Sequence, residues 1–334
     1  MSRRVAILGA GIGAQHAAAY AKLSNRFEVV AVCDRDTTRA AAIAPAGARV
    51  VAALDPILAD QAIDVVDICL PPRLHAAVAV SALASGKHVI CEKPLALSLE
   101  EVAQIEAVSG AAQVFPVFQY RYAPAFDRLR ALIAAGLAGR PLAASLETHW
   151  NRGADYYANP WRGTVAGEGG GALITHAIHV HDLVTHLMGP VDSAFAQTAT
   201  HVNAIETEDC AAVSLRLRNG ALVSSSVTLG AARETTRMRL IYAGLTATSG
   251  TMPYAPGEGD WSFEARDPAL QTEVDAVLAA TPIGPPGYQG FFQAVDARLA
   301  GADGQAVTLA DGRAAVALAA ALYASRDSGH AVAL

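Results

Sequence analysis

The sequence predicts an α/β protein of two domains: a first domain on a parallel sheet, then an α+β domain with a large open, mostly antiparallel sheet. Three observations carry this. As far as Phe118, short apolar runs of strand length alternate with helix-compatible stretches, the pattern of repeated βαβ units. Beyond Arg140-Pro141 the runs alternate apolar and polar residues, as strands with one buried face do. The length, 334 residues, exceeds what one hydrophobic core usually serves, and 52% hydrophobic content is enough to bury two. The expected division is residues 1–122 and 123–334, with the C-terminal segment free to pack back on the first domain.

Val5-Ala6-Ile7-Leu8 is the first strand, Gly9-Ala10-Gly11-Ile12-Gly13-Ala14 a tight turn, and Gln15 to Leu23 a helix. That order is what a dinucleotide-binding Rossmann unit needs. Gly9 permits the sharp turn, Gly11 lets a pyrophosphate approach the backbone, and small Ala14 lets helix pack on strand. The helix N-terminus, entered through Ile12 and Gly13, faces the phosphates. Val29 to Cys33 forms the next strand and ends in Asp34, about 20 residues past the glycines, where an acid can hydrogen-bond an adenosine ribose. The Asp34 carboxylate would repel the extra phosphate of NADP and so favours NAD. Arg35 can stack on adenine or meet that phosphate, which keeps NADP open. The bland alternative is an ordinary turn, with Asp34 as a helix cap.

After a further helix, Val65 to Leu70 reads as a buried strand, Pro71-Pro72 as a breaker and Leu74 to Ser85 as a helix ended by Gly86-Lys87. His88 to Cys91 is the next strand, leading into Glu92-Lys93-Pro94-Leu95. Ser98 with Glu101 is a capping-box signal, and Val114 to Phe118 supplies another strand. In the second domain, strands are expected at Ala143 to Trp150, Ala211 to Leu217, Ala221 to Thr228 and Met238 to Ala243. Gly169-Gly170-Gly171 opens a helix covering Ile174 to Asp182, and three glycines there would allow close approach of cofactor or substrate. From Pro253 to Pro286 the chain is rich in Gly, Pro and charge with little periodicity, so a long surface excursion is expected.

Net charge of −6, with no Lys/Arg run interleaved with aromatics, leaves no footprint for nucleic acid. Cys33, Cys69, Cys91 and Cys210 stand apart from one another, which suggests neither a disulfide framework nor a zinc ribbon and fits a reducing cytosol. Arg3-Arg4 precede only about six apolar residues that run straight into the glycine turn, so they start a strand rather than a secretion signal. No stretch approaches the ~20 apolar residues of a spanning helix, the Ala314 to Ala324 tract included. A soluble, cytoplasmic protein with no membrane partner is expected.

Taken together, these motifs resemble those of the Gfo/Idh/MocA oxidoreductases, the family of glucose-fructose oxidoreductase and inositol dehydrogenase, over nearly the whole chain. The matching pieces are the Gly9 turn, Pro71 with His75, Gly86-Lys87-His88-Val89 into Glu92-Lys93-Pro94-Leu95, Gln119 to Pro124, Trp161-Arg162, the three glycines, His179 with Asp182, and the tail from Ala321. The resemblance implies a Rossmann domain and a substrate domain whose open sheet often serves oligomerisation, hence a homo-oligomer, dimer or tetramer. It implies substrates such as sugars, sugar acids and cyclitols. Pro71, His75, Glu92, Lys93, Gln119 and Arg162 match positions expected at the cofactor.

Oxidising a secondary alcohol requires a base for the hydroxyl proton while hydride leaves the same carbon. Lys93 matches the family lysine that hydrogen-bonds the reacting hydroxyl, where an ammonium also stabilises developing alkoxide; a solvated loop lysine is the alternative. His179 matches the catalytic histidine. Many members carry an Asp four residues earlier, on the same helical face, and this chain has Thr175 there with His176 beside it. His179 is therefore the first choice of base and His176 its partner or substitute, while Thr175 can hold a substrate hydroxyl. Asp182 either orients His179 or closes a structural hydrogen bond. His176, His179 and Asp182 also have metal-ligand spacing, but no Cys or Glu motif accompanies them and no metal is expected. Trp150, Arg152, Tyr156 and Trp161 cluster before this helix, and with Tyr120 and Arg121 they suit a carbohydrate pocket of stacking rings and guanidinium donors. Packing residues are the alternative. Two other functions compete with a dehydrogenase: an NAD-retaining lyase or glycosidase using transient oxidation, and a non-catalytic nicotinamide-binding regulator.

Overall fold

The computed structural model describes residues 2–302 and 304–334. Two compact units result, one of residues 1–118 with 288–316 and one of 119–287 with 317–334. The expected division at 122/123 thus falls four residues earlier, at the entrance of a short helical turn, Gln119–Arg121.

The first unit contains β1 (Arg3–Leu8), α1 (Gly13–Ala21), β2 (Phe27–Cys33), α2 (Thr37–Ile43), β3 (Arg49–Val51), α3 (Asp55–Ala59), β4 (Val65–Ile68), α4 (His75–Ala84), β5 (His88–Cys91), α5 (Leu99–Val108) and β6 (Val114–Pro116). Its six strands are all parallel, in the order β3-β2-β1-β4-β5-β6. Val5, Ile7, Val65, Val66, Val89 and Ile90 are wholly buried, which is why these strands read as largely apolar runs: helices cover both faces of a parallel sheet. Ser98 caps α5 through Glu101 N at 3.2 Å, and the Glu101 carboxylate reaches back one residue further than a capping box requires, to Leu97 N at 2.8 Å. Neither β3 nor α3 was expected. Each is short, and β3 is an edge strand with little buried surface.

The second unit contains α6 (Pro124–Ala134), β7 (Pro141–Asn151), α7 (Ala154–Tyr157), α8 (Val165–Glu168), α9 (Ile178–Met188), β8 (Val191–Ala199), β9 (Cys210–Leu217), β10 (Leu222–Thr228), β11 (Gly230–Tyr242), β12 (Leu245–Ser249), β13 (Trp261–Ala265) and α10 (Gln271–Ala280). The chain closes with α11 (Gly287–Leu299), α12 (Leu309–Ser328) and β14 (Val332–Ala333). The eight-stranded sheet runs β13-β12-β11-β7-β10-β9-β8-β14, antiparallel except for β7 with β10. Strict alternation buries Ala211, Val213, Leu215 and Leu217 of β9 and exposes Ala212, Ser214 and Arg216. The buried face packs under Phe126 and Leu129 of α6, Leu183 and Val184 of α9, and Leu322 of α12.

Residues 253–286, expected as a long surface excursion with little periodicity, hold β13 and α10. Gln271 joins the two: its side chain accepts from Ala265 N at 2.8 Å and donates to Phe263 O at 3.1 Å. The segment 288–316 belongs to the first unit, where Phe291, Phe292 and Val295 are wholly buried and Phe292 stacks on Tyr20 at 4.0 Å. Asp296 there receives Arg3 and Arg26 at 3.2 and 2.8 Å.

His181 of α9 is buried against β10, its Nε2 3.0 Å from Ser225 Oγ. Burial pushes its pKa down to about 4. The unfolded chain therefore binds more protons than the folded one between that value and about 6.5. Stability from this group is complete above the window and is lost as pH falls through it, by up to about 3 kcal/mol. His181→Gln should lose less stability than the parent between neutral pH and pH ~4.5, as read from urea midpoints. Parallel losses in the two proteins would show that His181 does not govern this slope.

Candidate functional site

In the first unit, Leu8 lies opposite both Cys33 and Ile68, and Ile68 opposite Cys91, so Gly9, Cys69 and Glu92 leave the sheet side by side at its carboxyl edge. Neighbours β2 and β4 connect away from β1 in opposite directions, the switch point where open α/β sheets bind ligands. Gly9 has φ of 101°, and a Cβ there would lie 2.4 Å from Cys69 O; a Cβ on Gly13 would lie 2.9 Å from Ile7 Cγ2. Protein packing alone forbids side chains at these two. Gly11 differs: its nearest would-be neighbour is Arg39 Nη2 at 3.6 Å, so the room left by its missing side chain serves something other than the fold. That open cradle, at the start of nine-residue α1 with Ile12 as N-cap and Ala14 in its first turn, fits a pyrophosphate. Asp34 lies beside it, accepting from Ala10 N at 2.8 Å and Asp36 N at 2.9 Å. Each carboxylate oxygen retains a second lone pair for a ribose hydroxyl. Arg35 is exposed, and Arg39, which the sequence did not single out, brings its guanidinium over the cradle.

Lys93 is half-buried at the exit of β5, with its backbone N–H on Glu92 Oε2 at 3.1 Å. Pro71 precedes the turn Pro72–Leu74 at the exit of β4. Two expected cofactor residues turn inward instead. His75 is buried with Nδ1 2.6 Å from Pro94 O and Nε2 2.7 Å from Leu70 O, because α4 points it between the β4 and β5 exits. Burial lowers its pKa, with the two carbonyls acting in the opposite sense. Glu92 is also buried, and its Oε1 takes the Tyr288 hydroxyl at 3.1 Å.

In the second unit, residues 173–177 form a π-helical turn before α9, so the expected regular helix over 174–182 is underwound at its start. Such turns are rare and concentrate at functional sites. Thr175 Oγ1 donates to Gly171 O at 2.7 Å and lies 2.6 Å from His176 Nδ1, an arrangement that puts the proton on Nδ1 and leaves Nε2 as the basic nitrogen of a neutral ring. His176 lies against Trp150 and Tyr156, at 5.2 and 5.6 Å, and His179 stacks on Tyr120 at 4.2 Å. Gly170 and Gly171 serve the protein. A Cβ on Gly170 would lie 1.9 Å from the Tyr323 hydroxyl and one on Gly171 1.9 Å from Glu208 O, so close approach here is by the chain itself. Glu208 caps the turn, accepting from Gly171 N at 2.9 Å and Leu173 N at 3.0 Å.

Asp182 receives Arg121 Nε at 2.8 Å and Nη2 at 2.6 Å, with both residues buried. Arg121 thereby becomes a strut where a substrate donor was expected. Trp150 is likewise buried, its Nε1 on Thr236 Oγ1 at 3.0 Å. Arg152 sits about 5 Å from the Trp150, Tyr156 and Tyr254 rings and pairs with Glu234 at 2.6 Å. Arg162 lies 4.1 Å from Tyr156 and 4.6 Å from Trp161, bonds the Tyr156 hydroxyl and reaches Glu168 at 3.5 Å. Gln119 has a buried Oε1 with no partner among the described residues. Tyr254, with φ of 63°, completes the cluster from the segment expected as an excursion. Among the described residues, the set of three metal-ligand types that comes together is His16, Asp67 and Cys69, which already contact one another and are not the helix histidines.

A model described as an oxidoreductase family with an NAD-binding Rossmann fold matches residues 3–115, and the GFO/IDH/MocA C-terminal domain matches 126–244. An uncharacterized oxidoreductase of Synechocystis is 31% identical over 64% of this chain and 62% of its own length. Levoglucosan dehydrogenase of Pseudarthrobacter phenanthrenivorans is 38% identical over 44% of this chain and 38% of its own. The aligned stretch thus spans less than two thirds of either relative. Among solved structures, the WlbA dehydrogenase of Chromobacterium violaceum, in complex with NADH and UDP-GlcNAcA, superposes with a TM-score of 0.88 at 29% identity, covering 100% of this chain and 96% of that one.

The contrast among the glycines yields a prediction. Gly11→Ala should keep the parent melting temperature but weaken NAD binding at least about tenfold, whereas Gly9→Ala should lower the melting temperature before any ligand is added. Equal loss of stability in both variants would return Gly11 to the fold.

Proposed function

This chain belongs to the GFO/IDH/MocA oxidoreductases, and on that premise we propose that it moves hydride between NAD and a secondary alcohol or ketone of a sugar, sugar acid or cyclitol-like substrate. The observation that carries the reading is the open cradle at Gly11, with Lys93 leaving the same edge of the same sheet. NAD supplies the hydride acceptor or donor. The Lys93 ammonium donates to the reacting oxygen and stabilises alkoxide character there. His179 takes the hydroxyl proton, and His176, its Nδ1 turned to Thr175, presents Nε2 as partner or substitute base. The buried Gln119 Oε1 suits a cofactor amide N–H, and Arg162 holds its edge of the same ligand.

Tyr156, Trp161 and Arg162 supply the rings and donors that recognise a sugar. The relatives favour net redox over the lyase and regulator readings, since those with named activities are dehydrogenases. The exposed sheet face bearing Ser145, Ser214, Ser224, Arg216 and Arg239 offers a surface for a second copy, which supports a homo-oligomer. No helix among the described residues is long and apolar enough to cross a membrane, and four free cysteines suit a cytoplasmic location.

Lys93→Ala should lower turnover by about 100-fold or more while NAD affinity stays within about threefold, measured by NADH formation across a panel of sugars, sugar acids and cyclitols. Parent turnover in the variant would remove Lys93 from the chemistry. Asp34→Ala should weaken NAD and favour NADP relative to the parent; an unchanged ratio of the two affinities would end the ribose assignment.

A further inference from the structure

Beneath the glycine turn lies a polar cluster that the proposed chemistry does not use. His16 follows Gly13 by three residues and is wholly buried. Its Nδ1 is 2.8 Å from Asp67 Oδ2 at the end of β4, and its Nε2 is 3.1 Å from Glu92 Oε1 at the end of β5. Tyr20 donates to the same Asp67 oxygen at 3.0 Å and Tyr288 to the same Glu92 oxygen at 3.1 Å. Cys69 Sγ lies 3.4 Å from His16 Nδ1, and the Tyr288 and Phe292 rings wall the imidazole at 4.5 and 5.4 Å. A neutral imidazole has one N–H, so it can satisfy only one of two carboxylates. The imidazolium satisfies both, and a buried carboxylate left facing a lone pair would be costly.

We propose that His16 is a positioning residue: as an imidazolium it clamps Asp67 and Glu92, and through Glu92 it fixes the backbone of Lys93 and the electrostatic surroundings of its amine. The link is short. Glu92 Oε1 faces His16 while its Oε2 receives Lys93 N at 3.1 Å, so rotation of the carboxylate would break both contacts together. The same ring lies in the first turns of α1, which tethers the Lys93 loop to the helix carrying the phosphate cradle. Burial acts against a charged ring here, and Asp67 with Cys69 outweighs it to raise the His16 pKa well above its ordinary value. The role in catalysis rests on the dehydrogenase reading, but the clamp itself can be tested without turnover.

The chain has three lysines, Lys22, Lys87 and Lys93, so carbon-13 labelling of lysine resolves the Lys93 side chain, assigned with Lys93→Arg. Titration of that signal in the parent, His16→Gln, Glu92→Gln and the double variant should show each single substitution moving the Lys93 pKa. The double variant should match Glu92→Gln alone, the non-additivity expected if His16 acts through Glu92. In the parent, nitrogen-15 labelled histidine should show both His16 nitrogens protonated at neutral pH. Where dehydrogenase activity is found, His16→Gln should lower kcat about tenfold or more, with the NAD affinity within about threefold. A merely structural histidine would lower the melting temperature and leave the Lys93 titration in place. An unmoved Lys93 signal, additive shifts, or a single protonated nitrogen on His16 would each overturn the proposal. Failure of the enzyme reading would show separately, as no NADH formed by the parent protein.

Discussion

The approach of the Gly9 backbone to the Cys69 carbonyl is the constraint on which the mouth of the parallel sheet depends. A Cβ at that point would lie 2.4 Å from the carbonyl oxygen, so β1 and β4 run in contact to their last residues and their exits open side by side. The next strand, β5, continues the register, with Ile68 opposite Cys91. Once these ends are flush, a residue one turn into α1 reaches both Asp67 and Glu92, and a residue at the start of α4 reaches the carbonyls of Leu70 and Pro94. The loop carrying Lys93 is thus held from two sides by buried histidines. Neither histidine needs to touch a ligand to matter to the chemistry at this edge.

Much of this arrangement could be read from the chain, and the parts that could not have identifiable causes. Strands buried on both faces, such as β1 and β5, announce themselves by apolar runs, and β9 and β10 by alternation. Exposed edges carry neither signal. β3 has no fully buried residue, and β13, at the sheet edge, buries only Phe263. The glycine turn was legible because its order of strand, turn and helix is local. Gly170 and Gly171 were not, because what approaches them, Tyr323 and Glu208, comes from far along the chain. Arg121 with Asp182 is a pairing of the same kind, set by the fold at a separation of 61 residues. A π turn has no compositional signature at all, and the spacing of Thr175 and His179 loses its ordinary meaning across one.

The histidines show why residue type alone could not assign roles. Burial works against protonation at His16, His75 and His181 alike. What separates them is the neighbour. At His16 the Asp67 carboxylate with Cys69 overcomes burial and the pKa rises; His75 faces two carbonyls, which oppose the lowering without reversing it; His181 faces a serine hydroxyl and falls to about 4. A carbonyl is a partial charge and a carboxylate a full one, and in a buried site that difference decides the sign. His176 belongs to a further class, since a hydroxyl already committed to Gly171 O orients its Nδ1 and sets the tautomer. A fixed tautomer suits a proton acceptor, because it decides in advance which ring nitrogen can receive a proton.

The arginines of the second unit extend the same reasoning to the ligand. Arg152 is paired with Glu234 and Arg162 reaches Glu168, and each guanidinium also lies against aromatic rings. Two cations matched by two carboxylates give a surface rich in planar donors and ring faces but of little net charge. Such a surface recognises hydroxyls and C–H faces without demanding an anion. Binding a carboxylate or phosphate strongly would require one guanidinium to exchange its glutamate for the ligand, and Arg162 is the better placed. Its contact with Glu168, at 3.5 Å, is long, whereas Arg152 meets its glutamate at 2.6 Å; each guanidinium also bonds a tyrosine hydroxyl. The neutral polyol proposed as substrate would leave both pairings in place, whereas an acid would call on the long pairing of Arg162.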